Sequence, residues 1–462
     1  MRRNRRRRRN SYIRTSADRT IRYRKSRRKN SYTAEKGILA AVVVLVLLVI
    51  TGSIWWLRHP DEEGIWVPSD AATESASEPI SESTETGASE ETGESNGDDT
   101  SGDTAQTQEQ ESQSGEMSQE PVAGDSDWNY RSEDRPKVKG IYVTGPRAGS
   151  AAFDDLLTLV DTTELNAMVI DVKNDGGEIT YKMDLEMAGA MGACINYIPN
   201  MEGFMQQLKE HNVYTIARIV CFKDPYLAAN HPELALLRAN GSAVVDGHGV
   251  AWVNPYKEAV WKYLVDVAKK AAEIGFDEIQ FDYVRFPLGT EAEDAQYGVD
   301  MAAYPKEQAI EDFLQYAVDE LHAIGIPVTA DVFGTIIDNE TDAVRVGQDY
   351  AALGEILDAI CPMVYPSHYG PGVFGLAVPD AQPYETILAA MRDSVADLAG
   401  IPAEKQAVVR PWLQDFTASW VSGHISYGGE QVRSQIQAVY DAGYEEWILW
   451  NSSNRYSADG LY

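Results

Sequence analysis

Three aspartates stand near the ends of short apolar runs: Asp171 in 167–173, Asp282 in 278–285 and Asp331 in 327–333. In an extended chain successive side chains point to opposite faces. Met168, Ile170 and Val172 then share one face, as do Ile279, Phe281 and Tyr283, and Val328, Ala330 and Val332. The other face carries Asp171 and Lys173, Gln280 and Asp282, and Thr329 and Asp331. A single buried aspartate has an ordinary structural reading as a hydrogen-bonded carboxylate. A ring of three, with Lys173, Arg218 and Arg410 expected nearby, is harder to explain as packing, because desolvated charges cost stability unless paired.

Two carboxyl groups flanking one bond can divide the labour of hydrolysing a glycoside, one as a protonated acid and one as a charged base or nucleophile. Asp282 and Asp331 end neighbouring runs and form the candidate catalytic pair. Sugars also present flat C–H faces that suit aromatic walls, for which Trp252, Tyr283, Tyr365 and Trp412 are candidates. Asp171, Lys173, Arg218, Arg285, His368, Arg410 and Asn451 complete the expected substrate-binding set. Other chemistries lack their signatures: there is no G-x-S-x-G elbow, no H-E-x-x-H, no phosphate-binding loop and no Cys/His cluster. Cys194, Cys221 and Cys361 are too scattered for a disulfide framework. The sequence implies no metal and no cofactor.

These side chains need a scaffold that brings strand ends together. Eight strand-like runs, 138–144, 167–173, 214–221, 278–285, 327–333, 359–365, 407–412 and 447–451, alternate with helical stretches such as 200–211, 257–274, 306–324, 384–399 and 429–442. Such alternation predicts a parallel sheet with helices outside. Eight repeats, without a Gly-rich dinucleotide loop after the first, predict a closed (β/α)8 TIM barrel of the α/β class. Chemistry in that architecture sits at the C-terminal strand ends, where the three aspartates fall.

The segment GFDEIQFDYVRFP (275–287), with VNPYKEAVWKYL before it and CPMVYPSHY (361–369) after it, resembles the bacterial family described as putative glycosyl hydrolase domain. The resemblance runs from about residue 137 to the C-terminus and implies a (β/α)8 glycosidase related to α-amylase-type enzymes. In α-amylase-like barrels the fourth-strand aspartate is the nucleophile, which places that role on Asp282. The fifth-strand acid there is usually glutamate, whereas this chain has Asp331. Chitinase-like barrels carry D-x-x-D-x-D-x-E on the fourth strand. The aligned positions here are Asp277, Gln280, Asp282 and Val284, so that acid is missing.

The rest of the chain reads as a tether. Residues 1–36 hold 16 Lys/Arg against Asp18 and Glu35, a basic cytoplasmic tail. Residues 37–57 carry no charge and are long enough for a transmembrane signal anchor, with Trp55 and Trp56 at the outer interface. Residues 58–136 form an acidic Ser/Thr/Glu-rich linker with the composition of a disordered stalk, and 137–462 form the barrel. The charge asymmetry predicts a single-pass cell-membrane protein with its N-terminus inside and its barrel extracellular. Anionic lipid is an expected partner of the tail. The acidic remainder disfavours nucleic acid and other polyanions, and favours neutral or amino-bearing polysaccharide. The expected function is a membrane-anchored extracytoplasmic glycoside hydrolase acting on cell-wall or extracellular polysaccharide. Its rival is a non-catalytic carbohydrate-binding or cell-envelope scaffold protein on the same barrel.

Overall fold

The β-branched and apolar runs become eight parallel strands in the computed structural model, which describes Tyr130, residues 135–289 and residues 292–462. The strands are β1 (Lys139–Val143), β2 (Ala167–Lys173), β3 (Tyr214–Val220), β4 (Glu278–Asp282), β5 (Val328–Phe333), β6 (Ala359–Met363), β7 and β8 (Trp447–Trp450). β7 is laid down as two segments, Val408–Val409 and Trp412–Gln414, because Pro411 between them has no N–H to give the ladder. β8 pairs with β1, and β7 pairs with both β6 and β8, so the barrel closes without an edge.

Helices cover the outside, among them α1 (Phe153–Thr162), α2 (Met201–Glu210), α3 (Glu258–Ile274), α4 (Lys306–His322), α5 (Tyr350–Ile356), α6 (Pro383–Leu398) and α7 (Gly429–Asp441). Their starts are chemically marked: Asn200 and Asp349 accept from Gly203 N and Ala352 N as N-caps of α2 and α5. Gly275, at φ 108°, ends α3 and turns the chain into β4.

Two apolar clusters reveal the strand faces. Ile141, Met168, Ile170, Ala217, Ile279, Phe281, Val328 and Ala330 pack outward with the helices. Val138, Tyr142, Val169, Ile216, Cys361, Tyr365, Trp412 and Ile448 fill the barrel interior. The alternation therefore assigns the faces as expected, with Asp171, Asp282 and Asp331 on interior positions. It lapses at Tyr283, whose φ of 49° lies in the left-handed region and ends β4.

Packing begins earlier than residue 137. Tyr130 is buried, and its hydroxyl donates to Glu278 Oε2 at 2.6 Å, while Arg135 pairs with Glu446. A stretch of acidic linker composition hides these two residues from sequence inspection. The tail, the apolar run 37–57 and most of the linker lie outside the described residues. Among the described residues no helix is long and apolar enough to cross a membrane.

Candidate active site at the C-terminal strand ends

Parallel register sets the pair. Phe281 of β4 lies opposite Ala330 of β5, and the next residues on each strand are Asp282 and Asp331. Neither is more than 7% exposed. Their surroundings differ sharply. Asp282 Oδ2 accepts from Arg218 Nε at 2.8 Å and also from Nη2, and its Oδ1 accepts from the Tyr283 N–H at 2.6 Å. A guanidinium fork with a backbone N–H is the donor set of a charged carboxylate.

Asp331 has no such fork. Its Oδ1 accepts from Trp412 Nε1 at 2.6 Å, and burial together with the neighbouring Asp282 charge pushes its pKa well above the usual carboxylate range. An indole N–H is a donor only, so it occupies Oδ1 and leaves Oδ2 as the oxygen on which a proton would sit. A carboxyl bound by a guanidinium fork beside one whose pKa is raised fits the division of roles that glycoside cleavage requires.

Arg218 binds three carboxylates at once. Its Nη1 donates to Asp171 Oδ1 at 2.6 Å and its Nη2 to Asp175 Oδ1 at 2.7 Å, besides the two bonds to Asp282. Burial raises Asp171 to a pKa of about 6, even with Arg218 opposing, and the Tyr142 hydroxyl donates to its Oδ2 at 2.6 Å. Asp175, in the turn after β2, keeps 40% of its side chain exposed at the rim. Sequence inspection missed Asp175 and Tyr142. The polar N-D-G-G turn directly after β2 was the signal for the first.

Other expected residues gather around this cluster. Tyr365 is buried near both carboxyls, whose charges, after burial itself, raise its pKa well above the normal range. His368 lies against Tyr365 at 4.8 Å between ring centroids, and burial holds its pKa well below the usual histidine range. Arg285 places its guanidinium over the rings of Phe333, Trp252 and Tyr283 at 4.7, 5.0 and 5.2 Å. Trp252 is only 1% exposed and so is a support for Arg285 rather than an open platform.

Four expectations need correction. Trp412 is 2% exposed inside the barrel, where it orients Asp331 and has no face left for a sugar. Lys173 is fully buried and spends its ammonium on Val220 O at 2.7 Å and Asp224 Oδ2 at 3.0 Å. Arg410 lies at the opposite end of the barrel, bonded to Glu278 Oε1 at 2.6 Å and Glu446 Oε2 at 3.0 Å. Asn451 falls one residue past β8, where it accepts from Ser453 N at 2.9 Å and donates to Asp415 O as part of a turn.

A (β/α)8 barrel with unlike paired carboxyls at its C-terminal end defines the glycosidase class of site. The chain belongs to the family described as "Putative glycosyl hydrolase domain", whose model matches residues 140–456. Among solved structures it is similar to the PgaB (BpsB) glycoside hydrolase domain of Bordetella bronchiseptica. That match is 14% identical, covers 68% of this chain and 94% of that one, and has a TM-score of 0.50, a likeness of fold. A hypothetical protein from Ruminiclostridium thermocellum is 36% identical over 42% of this chain and 97% of its own, with a TM-score of 0.39. A chitinase from Chromobacterium violaceum is 14% identical over 70% and 97%, with a TM-score of 0.41. No protein of curated function matches the chain.

Proposed function

We propose that this glycosyl hydrolase family member cleaves O-glycosidic bonds in a cell-wall or extracellular polysaccharide, with Asp331 as the acid and Asp282 as the charged partner. The observation that carries the reading is the contrast, on adjacent strands, between Asp282 bound by the Arg218 fork and Asp331 bound only by an indole N–H, with its pKa raised by burial and the Asp282 charge. Asp331 would protonate the departing oxygen from Oδ2, while Asp282 would meet the positive charge developing at the sugar carbon. Arg218 would keep Asp282 in place and share its charge with Asp171 and Asp175.

The experiment is hydrolysis of a polysaccharide panel by the barrel, read by new reducing ends, with Asp282→Asn and Asp331→Asn beside the wild type. Both variants should lose the polymer reaction. Asp331→Asn should retain much more activity on an aryl glycoside whose leaving group needs no protonation. Equal loss on both substrates would remove the acid assignment.

One observation favours the non-catalytic alternative: both oxygens of Asp282 already accept hydrogen bonds. Under that reading the chain would bind polysaccharide without releasing any product. The membrane anchor at 37–57 and the extracellular barrel remain part of the proposal, supported by the basic tail and the charge-free run. Protease added to intact cells should then release a folded barrel. A barrel protected until lysis would overturn this topology.

A further inference from the structure

Among the described residues, those other than glycine with φ in the left-handed region are Asn212, Tyr283, Phe374 and Asn454. Asparagine tolerates that region, whereas a bulky aromatic residue there is strained. Of these residues only Tyr283 stands next to a member of the carboxyl pair. A glycine would take its φ of 49° without strain, so the surroundings must hold the tyrosine in place.

Those surroundings include two buried cations. The Tyr283 ring lies 4.9 Å from Lys223 Nζ and 5.2 Å from Arg285 Cζ, with the Trp252 ring 5.9 Å away between centroids. A cation withdrawn from water is drawn to an aromatic face more strongly than an exposed one. Lys223 is anchored in turn on Asp246 Oδ2 at 3.2 Å, and Arg285 Nη1 donates to Phe286 O at 3.0 Å. The ring thus ties the end of β4 to the segment that follows β3.

One planar peptide joins Asp282 to Tyr283, and its N–H donates to Asp282 Oδ1 at 2.6 Å. That plane is pinned on both sides. The Asp282 carbonyl accepts from Cys221 N at 2.8 Å, and the ring anchors the Tyr283 end. A carboxylate oxygen has two acceptor sites, so an N–H on one of them leaves the other for a reacting sugar.

We infer that Tyr283 is a positioning residue for Asp282: its ring, seated against Lys223 and Arg285, fixes the peptide whose N–H sets the direction of Oδ1. The effect on turnover rests on the hydrolase reading above, whereas the holding of the N–H does not.

The test compares the full-length chain, kept in a mild detergent, with its Tyr283→Gly and Tyr283→Phe variants. Glycine keeps the backbone conformation and removes the ring, and phenylalanine keeps the ring. The first readout is hydrogen exchange at the residue 283 amide, resolved by mass spectrometry with electron-transfer fragmentation and corrected for intrinsic rate. It should quicken about ten-fold in Tyr283→Gly and stay near the wild-type rate in Tyr283→Phe, with the Ile279 and Phe281 amides unchanged in both. The second readout is hydrolysis of glycol chitosan and hydroxyethyl cellulose, an amino and a neutral polymer, followed by new reducing ends. In Tyr283→Gly kcat should fall about ten-fold with KM nearly unchanged, and Tyr283→Phe should restore most of it. Unchanged exchange at residue 283, or equal quickening all along β4, overturns the positioning role. A raised KM at constant kcat does so too, since it would make the ring a sugar contact. Failure of Tyr283→Phe to recover the slow exchange would move the role from the ring to the hydroxyl and overturn it as stated. Selective quickening in Tyr283→Gly, with neither polymer cut by the wild type, would count against the hydrolase reading and leave the positioning of Asp282 standing.

Discussion

The barrel holds one buried arginine network at each end, and the two are built to different rules. At the N-terminal end Arg410 and Arg135 face Glu278 and Glu446, two cations against two carboxylates, closed over by Tyr130. At the C-terminal end one guanidinium, Arg218, serves Asp171, Asp175 and Asp282, with Asp331 beside them. A network that only stabilises a fold balances its charges, since an unpaired buried charge costs several kcal/mol. A network left with excess carboxyl groups, one with a raised pKa, is what the proposed acid and its charged partner would require.

The sharpest break in this contrast comes from Asp282→Asn. Turnover should fall by several orders of magnitude, on the order of 5 kcal/mol of barrier, while the melting temperature moves little because one of three carboxylates on Arg218 is neutralised. Arg410→Met should do the reverse. It strands Glu278, leaves Glu446 with Arg135 alone, and should cost about 3–5 kcal/mol of stability in chemical denaturation. Activity per folded molecule should survive, and a selective loss of activity would erase the distinction between the two ends.

A smaller effect is expected from Trp412→Phe, which keeps the ring and deletes the bond to Asp331. Stability should fall by about 1–2 kcal/mol. The N–H favours the ionised carboxyl, so its loss should raise the Asp331 pKa and carry the alkaline limb of the activity profile to higher pH. A limb that stays in place would separate Asp331 from the acid role.

The smallest effect concerns Asp331→Asn and pH. Because the folded-state pKa of Asp331 is raised, its stabilising contribution is complete below about pH 4 and is lost as pH climbs through the folded value. The variant lacks this loss, so its stability relative to wild type should improve as pH rises from acid to neutral. A pH-independent difference in melting temperature would show that Asp331 is not proton-retaining.

Much of this architecture is legible in the sequence because a strand buried on both faces still alternates between two kinds of neighbour. Helix-facing positions are aliphatic, so the polar residues at 171, 282 and 331 stand out as interior. Strand ends are harder to see. Reading the seventh run as ending at Trp412 put Arg410 near its C-terminal end, whereas β7 continues to Gln414 and Arg410 lies toward its start. The parity was right and the level in the barrel was wrong. Trp412 illustrates a second limit: a tryptophan near a strand end can line a groove or plug a core, and its composition is the same in both. Asp175 lies in a connecting segment, where no periodicity marks the direction of a side chain.

Tyr130 has a directional consequence. Its hydroxyl is fastened at the first residue of β4, so Tyr130 lies at the end of the barrel away from the carboxyls. It therefore helps to seal that end around Arg410 and Glu278, opposite the end that holds the carboxyl pair.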